Sequence, residues 1–309
     1  MSTTPALRAV NLSHTYPATG TDTAPEPALV EVSAEVPNGS VVAVLGPSGC
    51  GKSTLLTLFG LLGNGRGTTG ELSFHDGNEP YDLLDLRSDE QAALRADAFG
   101  FVLQSNYLLP SFTCLENVGM PLAMHGWPTK ARARWAEKLV EAAGDAKLTE
   151  KMHDRPRHVS AGQRQRFAVL RALVTDPMVV FADEPSSNLD GGNTKAMFEL
   201  FDRWRSGDLF TAARAEFAAD RRTPSVVEQW LKAREFRTPP RSRTLIVVSH
   251  DVGTAYQWAN HFLLIDANHR QAGAFTKAQW RENAKRIDGT LGLLSGTAAR
   301  LTDAAGARE

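Results

Sequence analysis

The stretch Gly46-Pro47-Ser48-Gly49-Cys50-Gly51-Lys52-Ser53-Thr54 decides the fold, because of where it stands. It matches the phosphate-loop pattern G-x-x-x-x-G-K-[ST]. Before it, residues 40–45 form an apolar run that reads as a buried strand, and residues 52–62 read as the helix that follows. That order suits the chemistry. Glycines 46, 49 and 51 let successive backbone N–H groups, those of Ser48 and Cys50 included, converge on phosphate oxygens. The helix N-terminus at Lys52–Thr54 adds partial positive charge. Lys52 is expected to reach the β- and γ-phosphates, and Ser53 to bind Mg²⁺. A second glycine-rich stretch, Gly65 to Gly70, fits the dinucleotide pattern G-x-G-x-x-G but follows a helix and precedes a strand, so it is read as a loop.

Working outward, residues 179–184 form a strand ending in two acids, Asp183 and Glu184. Asp183 is placed to hold Mg²⁺ beside Ser53, and Glu184 to orient or deprotonate an attacking water. The apolar part of that strand is read over 178–182, and further strands are expected at 71–75, 99–103, 244–249 and 262–266, most of these without polar alternation, as in strands covered on both faces. The alternation of such strands with helical patterns predicts an α/β fold with a largely parallel sheet. Between Tyr107 and Leu173 the strand signal stops. Thr113 and Glu116 have capping-box spacing and open a helix over 116–125; residues 129–143 form another, ended by Gly144. Residues 19–27 read as an early loop.

Composition limits the functions available. The 34 Lys and Arg nearly balance 35 Asp and Glu, so no global field favours nucleic acid or an anionic membrane. Two cysteines, Cys50 and Cys114, are too few for a disulfide scaffold and suggest a reducing compartment. The N-terminus reads as lacking a signal peptide, and no apolar run approaches the roughly 20 residues of a spanning helix. Any membrane role is therefore expected to come through a partner. The histidines other than His250 show no metal-ligand spacing.

Val159-Ser160-Ala161-Gly162-Gln163 and the following 164–173 resemble the signature sequence of the ABC ATPases, with Ala161 at the usual second glycine position. Ser160 and Gln163 also have capping-box spacing at a helix start, a ready anion site. With the phosphate loop and the acid pair in the right order, the resemblance covers most of residues 7–266. It is strongest to the branch of lipoprotein release, macrolide-type efflux and cell-division complexes, through residues 101–110, 115–118 and 188–190. The resemblance implies a P-loop NTPase (RecA-like) core over 1–106 and 174–280, an all-helical subdomain over 107–173 and a tail over 281–309. It also implies roles. Gln104 contacts Mg²⁺ and the coupling surface, and residues 187–190, ending in Asp190, form a loop that lies by the nucleotide. His250 senses the γ-phosphate, and Tyr16 stacks on adenine. The expected cofactors are ATP and Mg²⁺. Two copies would sandwich nucleotide between Lys52 and Ser53 of one chain and Ser160 and Gly162 of the other. They would do so beneath an integral-membrane permease, at the cytoplasmic face of the cell membrane, with no nucleic-acid partner. Rival readings are a transmembrane signalling complex and a soluble ATPase of DNA repair or translation. The last usually carries a coiled coil, a zinc site or two cassettes.

One segment departs from the family pattern. His250 stands 60 positions after Asp190, and 203–243 carry ten Lys or Arg against five Asp or Glu. A helix over 209–222 and a second from Ser225 to Phe236, capped by Ser225 and Glu228, predict an extra helical insertion over 205–242, within the core. It is read as a docking surface or a solvated decoration. With no motif inside it, it is expected to be dispensable for the nucleotide site.

Overall fold

A computed structural model describes residues 4–17, 26–63, 65–220, 222–235, 243–293 and 296–306. Its strands are β1 (Leu7–Thr15), β2 (Pro27–Val36), β3 (Val41–Leu45), β4 (Thr68–Phe74), β5 (Tyr81–Asp82), β6 (Phe99–Val102), β7 (Val179–Asp183), β8 (Thr244–Val248), β9 (His261–Ile265) and β10 (Gln271–Thr276). The helices are α1 (Lys52–Phe59), α2 (Ser88–Ala98), α3 (Cys114–Gly119), α4 (Thr129–Ala142), α5 (Ala146–Lys151), α6 (Ala161–Leu173), α7 (Gly191–Ser206), α8 (Asp208–Ala219), α9 (Ser225–Glu235), α10 (Val252–Trp258), α11 (Trp280–Leu291) and α12 (Thr297–Gly306). The chain divides into two compact units: Met1–Arg95, Phe181–Glu184 and Thr244–Glu309 form the first, Ala96–Val180 and Pro185–Arg243 the second.

In the first unit β3 lies between β8 and β9, parallel to both, with Val44 opposite Val248 and Leu45 opposite Leu264. All five β3 residues are buried, as an unbroken Val/Ala/Leu run requires. The end of β7 lies beside β8, and β10 closes the far edge antiparallel to β9. A second sheet, β2-β1-β4-β5, is antiparallel throughout. Of this sheet the sequence marks only the strand expected at 71–75, which falls on β4, because β1 and β2 alternate buried and polar residues instead of presenting continuous apolar runs. Pro27, expected in a loop, begins β2; the rest of that loop, from Thr19 onward, lies almost wholly outside the described residues.

Several expected boundaries move for local reasons. Helix α1 stops at Phe59, because Gly60 takes its C-cap and Leu61 turns to φ 54°. Strand β4 begins at Thr68, inside the stretch read as a loop; Gly67, at φ 81°, lies so close to Thr15 that a Cβ would stand 2.2 Å from its carbonyl oxygen. Thr113 and Glu116 do form a capping box, but the helix starts at Cys114 and gives way to a 3-10 segment, Met120–His125, where Pro121 supplies no N–H.

The second unit is mostly helical, with β6 and the first residues of β7 as its strands. Helix α7 and the insertion belong to it, not to the core in which the sequence reading put them. Nor is the insertion a solvated decoration. Helix α8 packs on α4. Phe210, Phe217 and Trp230 meet Trp127 and Trp135 at ring-centroid distances of 5.1 to 6.2 Å. Trp135 is fully buried and donates through Nε1 to the Val174 carbonyl, 3.1 Å away. The base of the insertion is fastened by ions: Asp176, fully buried at φ 50°, accepts from Arg214 and from Arg243 Nε at 2.9 Å. Burying that carboxylate is tolerable only because both cations reach it. Ser225 sits in the first turn of α9 rather than capping it, since Pro224 supplies the carbonyl that accepts from Val227 and Glu228. Phe236 lies outside the described residues. No described helix is long and apolar enough to cross a membrane.

Candidate nucleotide site

Three strand ends meet in the first unit: β3 runs into the phosphate loop, β7 into Asp183 and Glu184, and β8 into Ser249 and His250. The carboxyl ends of adjacent parallel strands are where open α/β sheets bind ligands. The loop is shaped by its glycines. Gly49 and Gly51 have φ of 78° and 99°, and a Cβ on Gly51 would stand 2.1 Å from the Ala28 carbonyl oxygen. Gly46 is equally constrained, by the Ile265 carbonyl and Cys50 Sγ. Lys52 is buried and donates from Nζ to the carbonyls of Gly46 and Pro47 at 2.9 and 2.8 Å. Its ammonium is thus held inside the loop, at the mouth of α1. The Cys50 thiol, also buried, is pushed up by desolvation against the opposing pull of Lys52.

Ser53 Oγ donates to Asp183 Oδ1 at 3.4 Å, and burial raises the Asp183 pKa above the ordinary carboxylate value. Among the described residues no cluster of three or more His, Cys, Asp or Glu is placed to hold a metal. A hydroxyl beside a carboxylate is nonetheless a hard oxygen pair that suits Mg²⁺, whose remaining ligands are commonly phosphate and water. The residues fit that ion.

Glu184 adopts φ 46°, uncommon for a residue with a side chain, while its N–H donates to the Val248 carbonyl at 2.9 Å. That bond ties β7 to β8 where both strands end. Glu184 Oε1 then lies 3.1 Å from His250 Nδ1, so the acid after β7 and the imidazole after β8 are brought together. Tyr16, half exposed, hydrogen-bonds through its hydroxyl with Thr54 Oγ1 at 3.2 Å.

The remaining predicted residues lie in the second unit. Ser160 caps α6: its Oγ accepts from the Gln163 N–H at 3.2 Å, and Gln163 Oε1 accepts from the Ser160 N–H at 2.8 Å. Ala161 is exposed, so a methyl group at this family glycine position meets no obstacle. Gly162 is different, since a Cβ there would come 2.3 Å from Asn193 Oδ1. Asn193 is itself fixed. Its N–H and Nδ2 donate to the two carboxylate oxygens of Asp190 at 2.8 and 2.7 Å, and Arg166 Nη1 donates to its Oδ1 at 2.6 Å. Arg166 also pairs with Asp145 at 3.2 Å. Asp190 thereby caps α7, and these bonds from Asn193 hold its carboxyl below the usual range. Sequence reasoning missed Asn193 and Arg166. The three-residue step from Asp190 was a usable signal for the first; nothing local marked the second. Gln104 lines a cleft of about 470 Å³ with residues of the 185–189 segment and the start of α6.

A phosphate loop at the end of β3, with paired acids at the end of β7 one strand beyond β8, defines a P-loop nucleotide-binding protein. The family model for ABC transporters matches residues 29–187. An uncharacterised ABC transporter ATP-binding protein of Thermotoga maritima is 44% identical over 174 residues, 56% of this chain and 70% of that protein. The lipoprotein-releasing system ATP-binding protein LolD of Bacteroides fragilis is 38% identical over 55% of this chain and 74% of its own length. LolD of Aquifex aeolicus is 39% identical, covering 55% and 72%. Among solved structures, the dimeric post-hydrolysis state of the ATP-binding cassette MJ0796 with ADP and Pi superposes with a TM-score of 0.67 at 25% identity. That match covers 88% of this chain and 98% of the other. The chain belongs to the ABC transporter ATP-binding family and is an ATP-binding, ATP-hydrolysing subunit.

Proposed function

We propose that this subunit dimerises on Mg·ATP and drives an integral-membrane permease from the cytoplasmic face of the membrane. The observation that carries the catalytic part is Glu184, held in a left-handed conformation by the Val248 carbonyl with its carboxylate against His250. A backbone so constrained aims the carboxylate without paying its ordering entropy at each turnover. In this reading Glu184 takes the proton of the attacking water, and His250 orients Glu184 and contacts the γ-phosphate. Lys52 and the N–H groups of residues 48–54 hold the phosphates, and Tyr16 carries the base. Ser53 and Asp183 would hold Mg²⁺, which supplies charge neutralisation at the phosphates. The second copy contributes Ser160, Gly162 and Gln163, whose helix N-terminus suits a phosphate, and Asp190, which accepts from the Asn193 that packs on Gly162.

The LolD names of two relatives support a membrane partner, and the dimeric MJ0796 cassette supports pairing. The exposed apolar residues Tyr107, Leu109, Phe112 and Met124 support the helical unit as the part that meets the permease. Catalysis is tested by Glu184→Gln. ATP binding is expected to persist while turnover falls about 10²–10⁴-fold, whereas Lys52→Ala weakens nucleotide binding itself. Near-normal hydrolysis by the glutamine variant would remove Glu184 from the chemistry.

A further inference from the structure

Tyr16 is set in an array that the hydrolytic machinery does not explain. Its ring lies 4.5 Å, centroid to centroid, from the His14 ring, at an interplanar angle of 87°. His14 is 5% exposed. Its Nδ1 lies 2.8 Å from Thr68 Oγ1. Strand pairing sets this contact, for His14 on β1 is the register partner of Thr68 on β4. At the other end of the tyrosine, the hydroxyl bonds Thr54, the last residue of the phosphate loop, which is itself buried. Tyr16 therefore has its ring packed edge-to-face on an immobile imidazole and its hydroxyl fixed to α1, and half of its surface still faces solvent.

We propose that His14 is a positioning residue for base recognition, holding the plane of Tyr16 so that its open face is presented to the nucleobase. The proposal rests on the reading of Tyr16 as the base contact. Aromatic pairs of this geometry contribute beyond their buried area. A ring fixed before binding also loses little freedom when a base stacks on it. The hydroxyl bond to Thr54 sets the distance between that ring and the phosphate loop, so the span from base to phosphates is set by the protein's own bonds. Burial lowers the His14 pKa, which keeps the imidazole neutral at ordinary pH, in accord with its place against a ring and a hydroxyl.

The test compares Mg·ATP with inorganic tripolyphosphate, which has phosphates and no base. Affinities are measured for Tyr16→Ala, His14→Ala, Thr68→Val and the double variant Tyr16→Ala/His14→Ala, after circular dichroism and thermal melting. Tyr16→Ala is expected to weaken ATP about tenfold and leave tripolyphosphate unchanged. His14→Ala weakens ATP about three- to tenfold by the same criterion, with kcat at saturating ATP unchanged and no added loss in the double variant. Thr68→Val, which removes only the hydroxyl that fixes the imidazole, shifts ATP affinity in the same direction and keeps the test open if His14→Ala fails to fold. Unchanged ATP affinity in Tyr16→Ala would sink the base-contact reading itself. A loss in Tyr16→Ala with none in His14→Ala and Thr68→Val would overturn the role of His14 alone. Equal losses for ATP and tripolyphosphate would make His14 a structural residue only.

Discussion

Phe217→Ala is the sharpest probe of the insertion. Phe217 is 2% exposed, with its ring 5.8 Å from Trp127 and 5.6 Å from Trp135, and the Arg134 guanidinium lies 4.6 Å above it. Arg134 is in turn paired with Asp220 at 2.7 Å. Truncating a buried Phe costs about 3–5 kcal/mol, the upper part applying where aromatic partners and a cation lose their contact. Against a typical total of about 5–15 kcal/mol, that is roughly a fifth or more of a domain's stability. Urea unfolding followed by tryptophan fluorescence reads it directly, since three of the six tryptophans, Trp127, Trp135 and Trp230, stand in the cluster. Arg222, 94% exposed in its side chain, serves as the control; its alanine variant should stay within about 0.5 kcal/mol of wild type. A loss below about 1 kcal/mol for Phe217→Ala would refute the packing argument. The consequence for a larger perturbation is a reversal of what the sequence suggests. Replacing residues 207–240 by a short linker strips Trp127 and Trp135 of their cover and leaves Asp176 without Arg214. The deletion should therefore destabilise the helical unit and lower hydrolysis, although no catalytic motif is removed.

Two further predictions follow from the site. Mixing Ser160→Arg and Lys52→Ala subunits, neither of which pairs well alone, should restore some ATP-dependent pairing through one intact composite site, read by size-exclusion chromatography with light scattering; full activity of isolated monomers at all concentrations would exclude the shared site. Burial raises the folded-state pKa of Asp183, so its contribution to stability is complete below about pH 4 and is lost as pH rises through the folded value. Asp183→Asn should accordingly raise the melting temperature of the nucleotide-free protein at pH 7, with a smaller difference near pH 4, while lowering Mg²⁺-dependent hydrolysis about 100-fold or more. A lower melting temperature at pH 7 would contradict the cost assigned to that buried charge.

Much of the candidate site was legible because its parts are local. The phosphate loop is nine consecutive residues, and the capping pairs Thr113–Glu116 and Ser160–Gln163 are three-residue steps whose bonds close within one helical turn. The acid pair was readable for the same reason, as the end of an apolar run. Sequence alone thus determined the nucleotide chemistry, the α/β class and the presence of an extra segment after Asp190. The tertiary structure decided what sequence-distant residues do to each other. It paired His14 with Thr68 and Tyr16 with Thr54 across strands and loop, and set Glu184 against His250 by a backbone bond between two strand ends. It also settled where the insertion belongs. Trp135 on one side, and Phe210, Phe217 and Trp230 on the other, each look like ordinary apolar positions of an amphipathic helix, and Trp127 like an apolar residue of the connection before α4. Periodicity shows that such a face must be covered, but burial is non-directional and carries no address. Only the path of the chain in space brings those five rings into one core.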